Sequence, residues 1–134
     1  MFRAPTTVLA AMLLASVCAG PAFAYVDFQK VFVAKYVTDE SSKDFTKLVK
    51  KTAKCYLCHQ GKNKKNDNVY GEHLDELLDK GDRKDKEKVM AALDEVAKIH
   101  SVPGDEASPT YGDLIADEKL PVDLETAKKE PEDL

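Results

Sequence analysis

Cysteine, glycine and proline are scarce in this 134-residue chain, at three, six and six residues. The shortage of cysteine excludes a disulfide-stapled scaffold, which in an exported chain of this size would show four or more. No apolar run reaches the roughly 18 to 20 residues that a membrane-spanning helix needs. The run from Val8 to Ala19, "VLAAMLLASVCA", has twelve. No segment alternates apolar and polar residues, and none strings β-branched residues between turns, so a sheet is not indicated. Positive charge is not in excess either. The 20 basic against 24 acidic residues give no electrostatic footprint for a nucleic-acid partner. No grouping of acid, base and nucleophile suggests an enzyme.

What the amino terminus does contain is the pattern of an export signal. Arg3 supplies a positive start, the twelve-residue apolar stretch follows, Gly20 and Pro21 break it, and Ala22-Phe23-Ala24 has the small-x-small form of a cleavage site. Residues 1–24 are therefore expected to direct the chain to the periplasm and to be cut off after Ala24. Cys18 leaves with them, and Val17 before it argues against a lipoprotein cysteine. The remaining 110 residues make one small domain with two cysteines and a net charge near −5, and no membrane span is expected in them.

Hydrophobic spacing predicts an all-α chain of four to five short helices. Phe28, Val31, Phe32 and Tyr36 share a face between Val26 and Val37. Ser41 and Asp44 have the spacing of a capping box for a second helix, from Ser42 to about Lys54. Phe45, Leu48, Val49 and Thr52 form its apolar face, and Lys47, Lys50, Lys51 and Lys54 form a stripe opposite. A third helix carries Leu74, Leu77 and Leu78 inward, with Gly81 as its stop. The fourth, from about Asp85 to His100, packs with Val89, Leu93 and Val96. A short fifth starts at a second capping box, Thr110 with Asp113. The domain is expected to span residues 25–121. Residues 122–134, charged and poor in apolar side chains, are expected to be an acidic, disordered tail. Such short helices make a thin core, a shortage that a large buried cofactor would relieve.

The segment "KCYLCHQGK" holds both remaining cysteines. Cys-x-x-Cys-His is the attachment sequence for c-type haem. On a helical turn, residues at i, i+3 and i+4 project from one side, so Cys55 and Cys58 can reach the two porphyrin vinyl groups while His59 turns to the iron as proximal ligand. Two other chemistries compete. A structural zinc site would need His73 or His100 to complete Cys55, Cys58 and His59, with the adjacent Cys58 and His59 bent onto one ion. A redox dithiol is ordinarily found in a βαβ context, whereas here a lysine-rich helix precedes the pair. Export, the cysteine count and the helix entering the motif favour one covalent haem c per chain.

On these residues, with "KKNDNVYG" after the motif and "YGDLIADEKLP" near the end, the chain resembles small class I-like monohaem cytochromes c. It is most similar to exported cytochrome c-domain proteins of planctomycete bacteria. The resemblance covers about Phe28 to Pro121 and implies a small cytochrome c-like bundle around the haem. It also implies a later-loop methionine as distal ligand, and this chain has none there, since Met90 lies within a predicted helix. At about 100° per residue, His100 falls near the centre of the inward face of the fourth helix and Met90 near its edge. His100 and Met90 are thus the candidate distal ligands. His73, only 14 residues after His59, ranks behind them.

The function expected is electron transfer through the haem edge, not catalysis. The alternatives are a five-coordinate haem that senses a gas or acts as a weak peroxidase, and a haem subunit of a larger redox complex. Charge is polarised along the chain. Eight lysines and one acid lie between Lys43 and Lys65, whereas ten acids and three lysines lie between Gly104 and Leu134. Lys47, Lys50, Lys51 and Lys54 could steer and dock an acidic redox protein, or simply solvate a helix face.

Overall fold

A computed structural model describes residues 26–133; the export signal, Cys18 and the cleavage site lie outside the described residues. The fold is all-α. The described residues form six short helices, α1 (Val26–Tyr36), α2 (Lys43–Lys47), α3 (Val69–Leu77), α4 (Lys86–Val96), α5 (Tyr111–Ala116) and α6 (Leu124–Lys128). Among the described residues the only β-type pairings are two isolated antiparallel bridges, His59 with Asp67 and His100 with Thr110. No helix among them is long and apolar enough to cross a membrane.

The core is assembled from the predicted faces. Phe28, Val31 and Phe32 of α1 are buried with Val89, Leu93 and Val96 of α4. The Tyr36 hydroxyl donates to the Leu93 carbonyl at 3.3 Å, and Lys35 pairs with Asp94 at 2.7 Å. Burial of apolar area accounts for most of this joint, because a surface ion pair contributes at most about 1 kcal/mol.

The second helix changes pitch as it approaches the motif. It begins one residue later than the Ser41–Asp44 box implies: Ser42 accepts from the Phe45 amide at 3.1 Å, and Ser41 accepts from the Thr38 amide instead. After α2 the chain widens into a π-helical segment, Leu48–Ala53, and then tightens into a 3₁₀ turn, Lys54–Leu57. Phe45, Val49, Ala53 and Leu57 are all buried. In a pure α-helix a stripe spaced by four would drift about 40° around the axis at each step. The wider π turn, bonded i to i+5, turns it back, so one apolar stripe continues as far as the motif. Thr52, expected on that face, is exposed as a result, and so are Lys47, Lys50, Lys51 and Lys54.

Three expectations are corrected by local backbone geometry. Leu77 is 43% exposed, because α3 ends there and Leu78 continues in extended conformation and takes the inward position. Gly81 is no helix stop; it lies in the 3₁₀ turn Lys80–Lys84, which Asp79 and Asp82 cap reciprocally. Helix α4 ends at Val96 and not at His100. The Ala97 and Ile99 carbonyls accept from the Gly112 and Tyr111 amides, both at 2.9 Å, and this tertiary pairing draws the chain out of the helix.

Composition predicts a disordered tail over residues 122–134, but the described part of that segment, up to Asp133, is ordered. Asp123 caps α6, Ala127 is completely buried, and a short 3₁₀ turn follows at Pro131–Asp133. The Gln60 side-chain amide donates to the Thr126 and Lys129 carbonyls, both at 2.7 Å, and the Gly61 amide donates to the Ala127 carbonyl at 2.8 Å. Composition alone predicts no order there; anchoring to the residues after the motif supplies it.

Candidate functional site

The site is built around a tight turn. Lys54, directly before Cys55, adopts φ 46° and ψ −108°, a conformation that a residue with a Cβ rarely takes. The Cys58 and His59 amides both donate to the Cys55 carbonyl, at 3.2 and 2.9 Å, which closes the turn with Cys55, Cys58 and His59 brought together around it. Both thiols are half-buried and unbridged.

The polar loop after the motif returns to it as a hairpin. The Asn68 amide donates to the Cys58 carbonyl and the Gln60 amide to the Asn66 carbonyl, each at 2.9 Å, bracketing His59 and Asp67. Those two residues therefore occupy a non-hydrogen-bonded antiparallel pair, the position where facing side chains come closest. His59 Nδ1 lies 2.8 Å from Asp67 Oδ1, and the side chains are only 5% and 24% exposed. The contact is close but not fully aligned as a hydrogen bond.

Asn68 locks this arrangement. Its Nδ2 donates to the Tyr56 carbonyl at 3.0 Å, and its Oδ1 accepts from the Gly71 amide at 2.9 Å, capping α3. The amino terminus of α3 is pressed so closely on the motif that a Cβ at Gly71 would stand 2.0 Å from the Cys58 carbonyl oxygen. The other Tyr-Gly pair is used alike, with the corresponding distance from Gly112 to the Ala97 oxygen 2.9 Å. Tyr70 and Tyr111 then meet edge to face with ring centroids 5.0 Å apart. Their buried hydroxyls have no hydrogen-bond partner among the described residues.

Electrostatics distinguish the chemistries open to the motif. Burial pushes the Cys58 thiol up to about 12, with the Asp67 carboxylate and Cys55 adding to the effect. Burial likewise raises the Asp67 carboxyl; Asp75 and Glu72 push the same way, and His59 opposes them. A thiol raised in this way does not suit a nucleophilic dithiol, which needs the anion. Nor do any three histidine, cysteine or acidic side chains among the described residues converge in a metal-binding group. Thioether attachment needs free thiols to add across the vinyl groups, which Cys55 and Cys58 would supply, and iron ligation needs a histidine whose second nitrogen has a partner, which His59 with Asp67 would supply. A small cavity of about 20 Å³ adjoins them, lined by Phe28, Leu74, Gly71 and Asp75 together with Cys58, His59 and Asp67. The donor set fits haem attached through both cysteines and ligated by His59 Nε2. A larger open depression lined by Ser42, Phe45, Leu48, Asp117 and Glu118 includes no residue of the motif.

The three candidates for the distal position lie elsewhere. His100 sits beyond α4, its Nδ1 2.6 Å from the Ser108 carbonyl oxygen. With α4 ending at Val96, His100 does not lie on the inward helical face that its spacing implies. Met90 is half-buried on α4 against the core, and His73 on α3 packs its ring 6.0 Å from that of Tyr111. None of them lines the cavity beside Cys58 and His59. Sequence reasoning missed Asp67, Asn68 and Gln60. An asparagine immediately before an apolar helix start is a capping signal that could have revealed Asn68. A glycine near the start of a helix, costly unless packing requires it, pointed to the close approach at Gly71. No family model, curated protein or solved structure matches this chain.

Proposed function

We propose that the chain is an exported, periplasmic monohaem c-type cytochrome that carries electrons, with haem bound covalently at Cys55 and Cys58 and ligated by His59. The observation that carries the proposal is the Cys-x-x-Cys-His turn, closed on the Cys55 carbonyl, with His59 Nδ1 held 2.8 Å from Asp67. Bound haem would supply one-electron exchange between ferric and ferrous iron. The chain's own part is to anchor the macrocycle, orient His59, and present a basic approach surface. Lys47, Lys50, Lys51 and Lys54 are all exposed on the segment leading into Cys55. That placement suits docking of an acidic redox protein, which positive charge near the motif would steer.

A second function, a five-coordinate haem that binds a gas or acts as a weak peroxidase, is favoured by one observation. His73, Met90 and His100 are all absent from the lining of the cavity at Cys58 and His59. Production of the full chain with haem-attachment machinery tests both. A haem-stained band should survive denaturing electrophoresis and vanish when Cys55 and Cys58 are replaced by alanine. A low-spin spectrum indifferent to carbon monoxide supports the electron carrier, and a high-spin spectrum that shifts with carbon monoxide supports the alternative. An exported protein carrying zinc and no haem would refute both.

A further inference from the structure

We propose that Asp67 is a positioning residue for His59, acting through Nδ1 to fix the imidazole and to hold the iron it would ligate at a low reduction potential. This inference rests on the haem proposal above and adds a residue that the motif does not contain. The backbone bonds from Asn68 to Cys58 and from Gln60 to Asn66 place Asp67 opposite His59 by register, so the meeting does not depend on a chance rotamer. The carboxylate oxygen stands 2.8 Å from Nδ1, with the two side chains 24% and 5% exposed, so water screens the contact poorly.

With Nε2 turned to the iron, the carboxylate charge 2.8 Å from Nδ1 would make the ligating nitrogen more basic. A backbone carbonyl in the same place would orient the ring without adding a charge. A more basic ligand backed by a negative charge favours ferric over ferrous iron. Bound haem would supply the one-electron exchange, and the part of Asp67 and His59 would be to keep the ring oriented and its ligating nitrogen basic.

The test is a spectroelectrochemical titration, at one fixed pH, of haem-loaded wild type, Asp67→Asn, Asp67→Glu and Glu72→Gln. Glu72 is the comparison because it belongs to the same acidic neighbourhood as Asp67. Asp67→Asn should raise the ferric/ferrous midpoint by at least tenfold in equilibrium constant, about 59 mV for a one-electron couple. Asp67→Glu should stay within about threefold of wild type, since it retains the carboxylate, and Glu72→Gln should also move less than about threefold. Equal shifts in Asp67→Asn and Glu72→Gln would overturn the proposal, because Asp67 would then be one background charge among several. Equal midpoints for Asp67→Asn and Asp67→Glu would overturn it too. Should Asp67→Asn fail to load haem, loading of Asp67→Glu with the wild-type midpoint supports the carboxylate requirement, and failure of both variants refutes it. Wild type without covalent haem would instead refute the underlying function.

Discussion

Replacing Gly71 by alanine sets two physical effects against each other. Helix propensity alone predicts a gain of about 1 kcal/mol, since alanine is the better helix former. The fold predicts the reverse, because the new Cβ would stand 2.0 Å from the Cys58 carbonyl oxygen and 3.2 Å from the Asp67 Cβ. Both obstacles belong to the hairpin that holds His59, and the nearer one is backbone, so neither can rotate aside. Relief requires α3 to move off the motif. That strains the Asn68 cap, worth about 1 kcal/mol, and the Asn68-to-Cys58 backbone bond, worth about another 1 kcal/mol. Overpacking adds about 1 to 3 kcal/mol. After the propensity gain is subtracted, Gly71→Ala should destabilise by about 2 to 4 kcal/mol. Urea unfolding of the haem-loaded protein should show a lower midpoint with an unchanged slope. Gly112→Ala, whose Cβ would meet the Ala97 oxygen at 2.9 Å, should cost less. Gly81→Ala, with nothing within 4 Å, should be neutral or slightly stabilising. A raised midpoint for Gly71→Ala would refute the close approach of α3 to the motif.

The remaining predictions concern the thiol, the carboxyl-terminal segment, the distal ligand and the lysines. In haem-free protein the Cys58 thiol, pushed up to about 12 from an ordinary 9.0, should resist alkylation at pH 8. Because its folded value is raised, its stabilising effect is complete below pH 9 and is lost as pH climbs toward 12, which pH-dependent unfolding should register. Gln60→Ala removes the two 2.7 Å bonds to the Thr126 and Lys129 carbonyls. It should destabilise by about 1 to 3 kcal/mol and speed proteolysis within α6, and an unchanged cleavage pattern would count against that anchor. If His100 is the distal ligand, His100→Ala should convert a low-spin spectrum to high-spin and admit carbon monoxide; a methionine-ligation band that survives the change points to Met90. Reversing Lys50 and Lys51 to glutamate should slow association with an acidic redox partner at low salt and leave the spectrum unchanged. An unaltered rate would assign those lysines to solvation alone.

The all-α class, the buried faces of α1 and α4, the Thr110–Asp113 capping box and the exposed lysine stripe were legible in the sequence. Each depends on residues within about a turn or two of one another, where period and capping chemistry act through the local backbone. The Cys-x-x-Cys-His spacing was legible for the same reason. Tertiary structure decided what short-range pattern cannot encode. The Ala97 and Ile99 carbonyls had partners more than ten residues ahead, so α4 stopped at Val96 and His100 left the helical face on which its spacing placed it. The charged segment after Pro121 became ordered because Gln60, more than sixty residues earlier, offered two donors to its carbonyls. Asp67 looked like one polar residue in a lysine-rich loop until hairpin register set it against His59. Local spacing determined which side chains could carry the chemistry, and backbone pairing across the fold determined which of their neighbours could tune it.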